Sequence, residues 1–263
     1  MAGLLTGVDR DPLGSPGVAN DRVYIHEFIE IRGHNRARYM HHMTANWCPE
    51  ARAERRQLCF GVWGTVGSTG RWPEVVNLWE IDGWDGLAAD FAHELGRPTL
   101  QDPLLADWWA QAAEFRRGGF DRILVPEPWS PTIAECNAAG IRGDVYAHET
   151  VKLPPGGARG LLDAVRDEGR AVVEPHGLTL AGAFRTAMMS DDEVIVIWAI
   201  PDFDTWAAFE QACEHDARVC AWRSKLHALQ AHVHRTLLVD APLSPLRIGR
   251  QPEVSDRRPL TDL

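Results

Sequence analysis

Two short stretches carry the side chains best suited to proton chemistry: VYIHEFIEI, Val23 to Ile31, and VYAHETVKL, Val145 to Leu153. Imidazole near its ordinary pKa of about 6.5 can take or give a proton at neutral pH. A carboxylate held in an apolar wall is raised toward the same range. Alternate residues of a strand face opposite sides, so His26 and Glu27 cannot enter one cavity together, nor can His148 and Glu149. The aliphatic set around Glu27 (Val23, Ile25, Ile29, Ile31) suits a helix-covered face, which sends Tyr24, His26, Phe28, Tyr146 and His148 to the opposite side. On this reading Tyr24, His26, Tyr146 and His148 are acid/base candidates in one shared pocket. In the opposite orientation Glu27 and Glu149 are the candidates. Trp63, Trp79, Trp198 and Phe28 are the aromatic groups expected to hold an apolar substrate.

The elements that must position these residues occur twice. A first strand is followed by a turn (RGHN or PPGG), a helical segment and a second strand, LCFGVWGTV or LTLAGAFRTAM. A third strand follows, VVNLWEI or VIVIWAI. NLWEIDGWDGLAADF aligns with VIWAIPDFDTWAAFE, pairing Trp79 with Trp198 and Asp85 with Asp204. A further helix pairs Trp108 with Trp222, and the copies close on ILVPEPWSP and LLVDAPLSP. The offset between copies shrinks along the chain, as small loop deletions after a duplication produce.

Each copy reads β-α-β-β-α-β, a ferredoxin-like unit with helices on one face of its sheet. The expected fold is therefore α+β: two tandem ferredoxin-like repeats packed sheet to sheet as a pseudo-dimeric α+β barrel, with a cavity where the sheets meet. The boundaries read as a flexible arm over 1–20, a first domain over 21–127, a Pro- and Gly-rich linker over 128–143, a second domain over 144–245 and a loose tail over 246–263.

Composition narrows the function. The chain has 263 residues and a formal net charge of −10, with arginine far outnumbering lysine and no clustered basic face, which argues against nucleic acid as a partner. No apolar run approaches the roughly 18 to 20 residues of a membrane helix. The start lacks the apolar core of a secretory signal, and the five cysteines are irregularly spaced, so reduced thiols in a cytoplasmic protein are expected. GTVGSTG reads as a hairpin turn because another strand follows it. His34, Arg38, His41 and His42 read as the polar face of a helix. His232 and His234 share a strand face at a barrel rim, and no metal is assigned.

The segment GVWGTVGSTGRWPEVVNLWEIDGWDGLAADFAHELGRPTLQDPLLADWWAQAAEFRRGGFDRILVP resembles the NIPSNAP family over about Val23 to Pro126, and more weakly over 145 to 245. That resemblance implies membership of the dimeric α+β barrel superfamily, whose members include cofactor-free monooxygenases, isomerases, cyclases and haem enzymes. The expected function is cofactor-independent acid/base chemistry on a small, largely apolar organic substrate: isomerisation, cyclisation, dehydration or cofactor-free oxygenation. Two alternatives stand beside it. One is a haem-dependent lyase or oxidase with His176, His215 or His227 as axial ligand. The other is a non-catalytic ligand-binding or interaction protein, with pairing into a homodimer left open.

Overall fold

Val, Ile, Tyr, Phe and Trp at alternate positions make the eight strands, because branched and aromatic side chains suit a pleated surface. The computed structural model describes residues 19–262; the segment read as an N-terminal arm lies outside them except for its last two residues. Strands β1 (Val23–Ile31), β2 (Leu58–Thr65), β3 (Glu74–Ile81) and β4 (Arg116–Pro126) form the first half. The second half has β5 (Val145–Lys152), β6 (Thr179–Thr186), β7 (Glu193–Ile200) and β8 (His232–Asp240). Each half is an antiparallel sheet with its first strand at the centre. Ladders between β2 and β8 and between β4 and β6 join the halves into one closed barrel, ordered β1-β3-β2-β8-β5-β7-β6-β4. This is the α+β arrangement expected from the duplicated pattern.

Helices cover the outside of each half. In the first, α1 (Arg36–His41) runs through a π-helical segment, His42–Trp47, into α2 (Cys48–Arg55), while α3 (Gly83–Leu95) and α4 (Pro103–Ala112) follow β3. A short helix α5 (Ile133–Ala139) then precedes β5. In the second half α6 (Gly157–Ala164) also passes through a π segment, Val165–Gly169, into α7 (Arg170–Val173), and α8 (Phe203–His215) and α9 (Ala217–Ala228) follow β7. The short α10 (Pro245–Ile248) comes after β8. Such π segments are uncommon and recur at functional sites. Here both copies carry one in the same helix.

The two unpatterned connections turn out to be structured. α5 starts at a reciprocal cap, with the Thr132 hydroxyl accepting from Glu135 N while the Glu135 carboxylate accepts from Thr132 N, and it stops at Gly140 with φ of 68°. It sends Ile133 and Cys136 into the cluster that fills the barrel, as α10 does with Leu246. The tail expected to be loose is held to the first half. The Gln251 amide bonds both the N–H and the carbonyl of Cys59, and Arg257 pairs with Glu50. His41 accepts from Arg258 N, and His42 stacks on Trp108. Of the expected polar helix face, His41 and His42 are thus buried by the tail and by α4, while His34 and Arg38 are exposed.

Matching bulges mark β2 and β6. Register shifts between Cys59 and Gly61 and between Leu180 and Gly182, and each glycine lies under an aromatic ring two residues on. A Cβ at Gly61 would stand 2.1 Å from the Trp63 indole, and one at Gly182 would stand 2.4 Å from the Phe184 ring. The indole is locked in the core, so Gly61→Ala is expected to destabilise the fold by about 1–3 kcal/mol, read as a lower urea midpoint. Gly160→Ala, on an open helix surface, is the control that should not.

Candidate active site

Tyr24, His26, Tyr146 and His148 point into the barrel, as the alternation requires, but the space there is filled. An eight-stranded barrel is just wide enough for side chains to fill it, and Phe60, Trp63, Leu78, Phe184 and Ile197 join the two tyrosines in doing so. His26 Nε2 and His148 Nε2 lie 3.1 Å apart, one ring donating to the other. Burial drives both histidines toward the neutral form, His26 well below the ordinary value and His148 to about 4. The Tyr24 hydroxyl donates to Glu80 at 2.9 Å, and Tyr146 accepts from Gly143 N at 3.2 Å. Burial raises both phenols far above their usual range. Trp63 is fully buried beside Tyr146, and Phe28 packs between His26 and Phe120. These groups contact one another, and the cavities that Glu27 and Glu149 line lie elsewhere, between each sheet and its helices.

The first-half cleft, about 490 Å³, opens over the other face of β1. Glu27 lies in its wall, opposite Asn77 of β3 on one side and Asp121 of β4 on the other. Its Oε2 accepts from Asn77 Nδ2 at 2.8 Å and from Trp79 Nε1 at 3.0 Å. Asn77 also donates to the Tyr39 hydroxyl at 3.1 Å. Loss of hydration raises the Glu27 pKa, the Asp121 charge adds to that, and the two hydrogen bonds and Arg116 oppose it, leaving the group at about 7. Arg116 is buried and stacks on Trp109. Met43 and Trp47 from the π segment complete an aromatic and thioether wall with Trp79 and Trp108.

The second-half cavity, about 330 Å³, repeats the frame with different chemistry. Glu149 occupies the place of Glu27, and Trp198 Nε1 donates to it at 3.1 Å, as Trp79 does to Glu27. Its strand neighbours differ: Val196 stands where the first half has Asn77, and Arg235 where it has Asp121. Arg235 grips Glu149 at 2.7 and 3.0 Å and reaches Glu210 at 2.7 Å. The carboxylate that could exchange a proton in one copy is tied to a guanidinium in the other.

With respect to haem, neither cavity combines a histidine in its lining with an arginine free of a carboxylate partner. The first offers no histidine or cysteine in its lining. The second has His227 at its wall, but Arg223 is paired with Glu214 and Arg235 with Glu149 and Glu210, which leaves neither arginine for a propionate. His176 and His215 do not line it. Among the described residues no cluster of three or more His, Cys, Asp or Glu is placed to hold a metal ion, and no helix is long and apolar enough to cross a membrane. His232 and His234 are exposed on β8.

Of the aromatic candidates, Trp79 and Trp198 line the two cavities while Trp63 and Phe28 lie on the barrel side. Asn77, Asp121, Arg116 and Tyr39 were not among the expected site residues. The signal for Asp121 lay in extending the ILVP and LLVD alignment backward, which sets Asp121 against Arg235.

Two ferredoxin-like halves, closed edge to edge with helices outside, define a dimeric α+β barrel in which one polypeptide supplies both halves. No protein-family model matches the sequence, and a search of curated proteins finds no match. Solved structures share the fold. A candidate monooxygenase from Lactobacillus acidophilus NCFM is 10% identical, covering 84% of this chain and 97% of its own, with a TM-score of 0.54. A second candidate monooxygenase, from Fusobacterium nucleatum subsp. nucleatum, is 8% identical over 84% and 92%, also at 0.54. An anthrone oxidase-like protein is 12% identical over 84% and 92%, at 0.53. At such identities the likeness is one of fold.

Proposed function

We propose that this chain is an enzyme acting on a small, largely apolar aromatic substrate by cofactor-independent acid/base chemistry, with Glu27 as the base. A tandem-duplicated NIPSNAP-like origin is part of that reading. The observation that carries it is a carboxylate with a pKa near 7, oriented by Trp79 and Asn77 at the wall of an aromatic cleft. A general base is most effective with a pKa near the working pH. Buried Arg116, in the lining of the same cleft, supplies fixed positive potential for the anion that proton removal creates.

Oxygenation is the preferred reaction, and the fold neighbours suggest anthrone as the first substrate to try. Loss of one proton from its methylene gives an electron-rich anion that can reduce O₂ directly. The carbon becomes a carbonyl and the second oxygen atom leaves as water. An oxygen electrode tests this: anthrone-dependent O₂ uptake supports oxygenation, whereas substrate deuterium exchange without uptake supports proton transfer alone. Activity in either case is expected to rise with pH through about 7 as Glu27 ionises. Asp121→Asn removes a neighbouring negative charge, so the ionised form of Glu27 becomes easier to reach. The acid limb of the pH profile is expected to move to lower pH, and an unmoved limb would assign it to another group.

A further inference from the structure

The loop between β6 and β7 breaks a local rule at the mouth of the first-half cleft. Ala187 to Ser190 make a tight turn, with Ser190 N donating to Ala187 O at 3.3 Å. Its two central residues, Met188 and Met189, have φ of 61° and 66°. Such turns favour Asn and Gly, because other side chains crowd the backbone when φ is positive. The two methionines are also 75% and 102% exposed. Strain and solvated thioethers in one turn point to a role outside the fold itself.

The turn is held in place from the first half. Ala187 N donates to Ile123 O at 2.8 Å, on the strand that carries Asp121. At its base the Thr186 hydroxyl donates to Glu193 at 2.7 Å, and Glu193 pairs with Arg122 of β4 at 2.8 Å. Thr186, Ala187 and Met188 line the cleft that Glu27 serves, while no residue of the corresponding β2–β3 loop lines the second cavity. Phe91 and Trp109, also partly exposed, share the same cleft.

We propose that Met188 is a specificity-determining contact by which the second half completes the first-half site. Its thioether packs on the end of the ligand that projects toward solvent, so the site selects fused-ring ligands over single-ring ones. A flexible, polarizable sulfur suits the face or edge of an aromatic ring. This proposal rests on the reading of the first-half cleft as the substrate site.

The test compares binding of alizarin, a diol on three fused rings, with catechol, the same diol on one ring, by calorimetry. Met188→Ser is expected to weaken alizarin by up to about tenfold while leaving catechol unchanged, and Met188→Leu is expected to behave as the unaltered protein. Ile25→Trp fills the cleft and is expected to abolish alizarin binding; Ile123→Trp replaces it if it does not fold by near-UV circular dichroism. Alizarin affinity that survives Met188→Ser but not the filling variant overturns the role of Met188 alone. Affinity that survives the filling variant overturns the reading of the cleft. Alizarin bound no better than catechol by the unaltered protein overturns the fused-ring preference.

Discussion

Glu27→Gln is expected to lower turnover by about 10²–10⁴-fold with little change in substrate affinity, as removal of a general base does. The substitution keeps the side-chain shape and one oxygen to accept from Trp79 and Asn77. A second readout separates a base from a structural group. Between the unfolded carboxyl value of about 4.3 and the folded value of about 7, the folded chain keeps a proton that the unfolded chain has released. Folding stability therefore falls as pH rises through that window. Glu27→Gln should lessen this slope and raise stability above pH 7, since an amide needs no ionisation; raised carboxyls such as Asp240 keep the remainder. Full turnover in the variant would move the chemistry away from Glu27, and an unchanged slope would contradict its raised pKa.

Arg235→Met is expected to destabilise the fold by about 2–3 kcal/mol, because it leaves Glu149 partly buried without its cation. The figure is set below that for a fully buried pair because both side chains keep some solvent, 26% for Arg235 and 14% for Glu149. For a chain of this size that corresponds to a fall in Tm of roughly 5–10 °C. Adding Glu149→Gln should recover part of the loss, since the carboxylate is what is stranded. Turnover at the first-half cleft should persist in both variants at a temperature where they remain folded. Activity that collapsed together with Glu149 would place chemistry in the second half as well.

The duplicated frame was legible because strand alternation and paired tryptophans survive in both copies. The facing of His26 and Glu27 was legible too, since aliphatic neighbours mark the helix-covered side. What alternation does not convey is where room remains. Volume depends on all eight strands at once, and Tyr24, Trp63, Tyr146 and Phe184 together fill the interior expected to be a cavity. The cleft site was missed for a related reason: Glu27, Asn77, Asp121 and Arg116 come from three strands and meet only through sheet register. Asp121 also sits in RRGGFDR, whose two glycines and charged residues hide the beginning of a strand. The linker helix was available from Thr132, Glu135 and Gly140, which mark its two ends.

The ladders that close the barrel join residues far apart in the chain, Trp63 with Asp240 and Leu124 with Thr186. During synthesis the first half leaves the ribosome before either partner strand exists. Its β2 and β4 edges then carry unpaired N–H and C=O groups, the surface on which strands of neighbouring chains add. On β4 the stretch that awaits β6 is only Leu124–Pro126, and Pro126 has no N–H to offer a foreign strand. The β4 edge thus carries part of its own protection until the second half arrives.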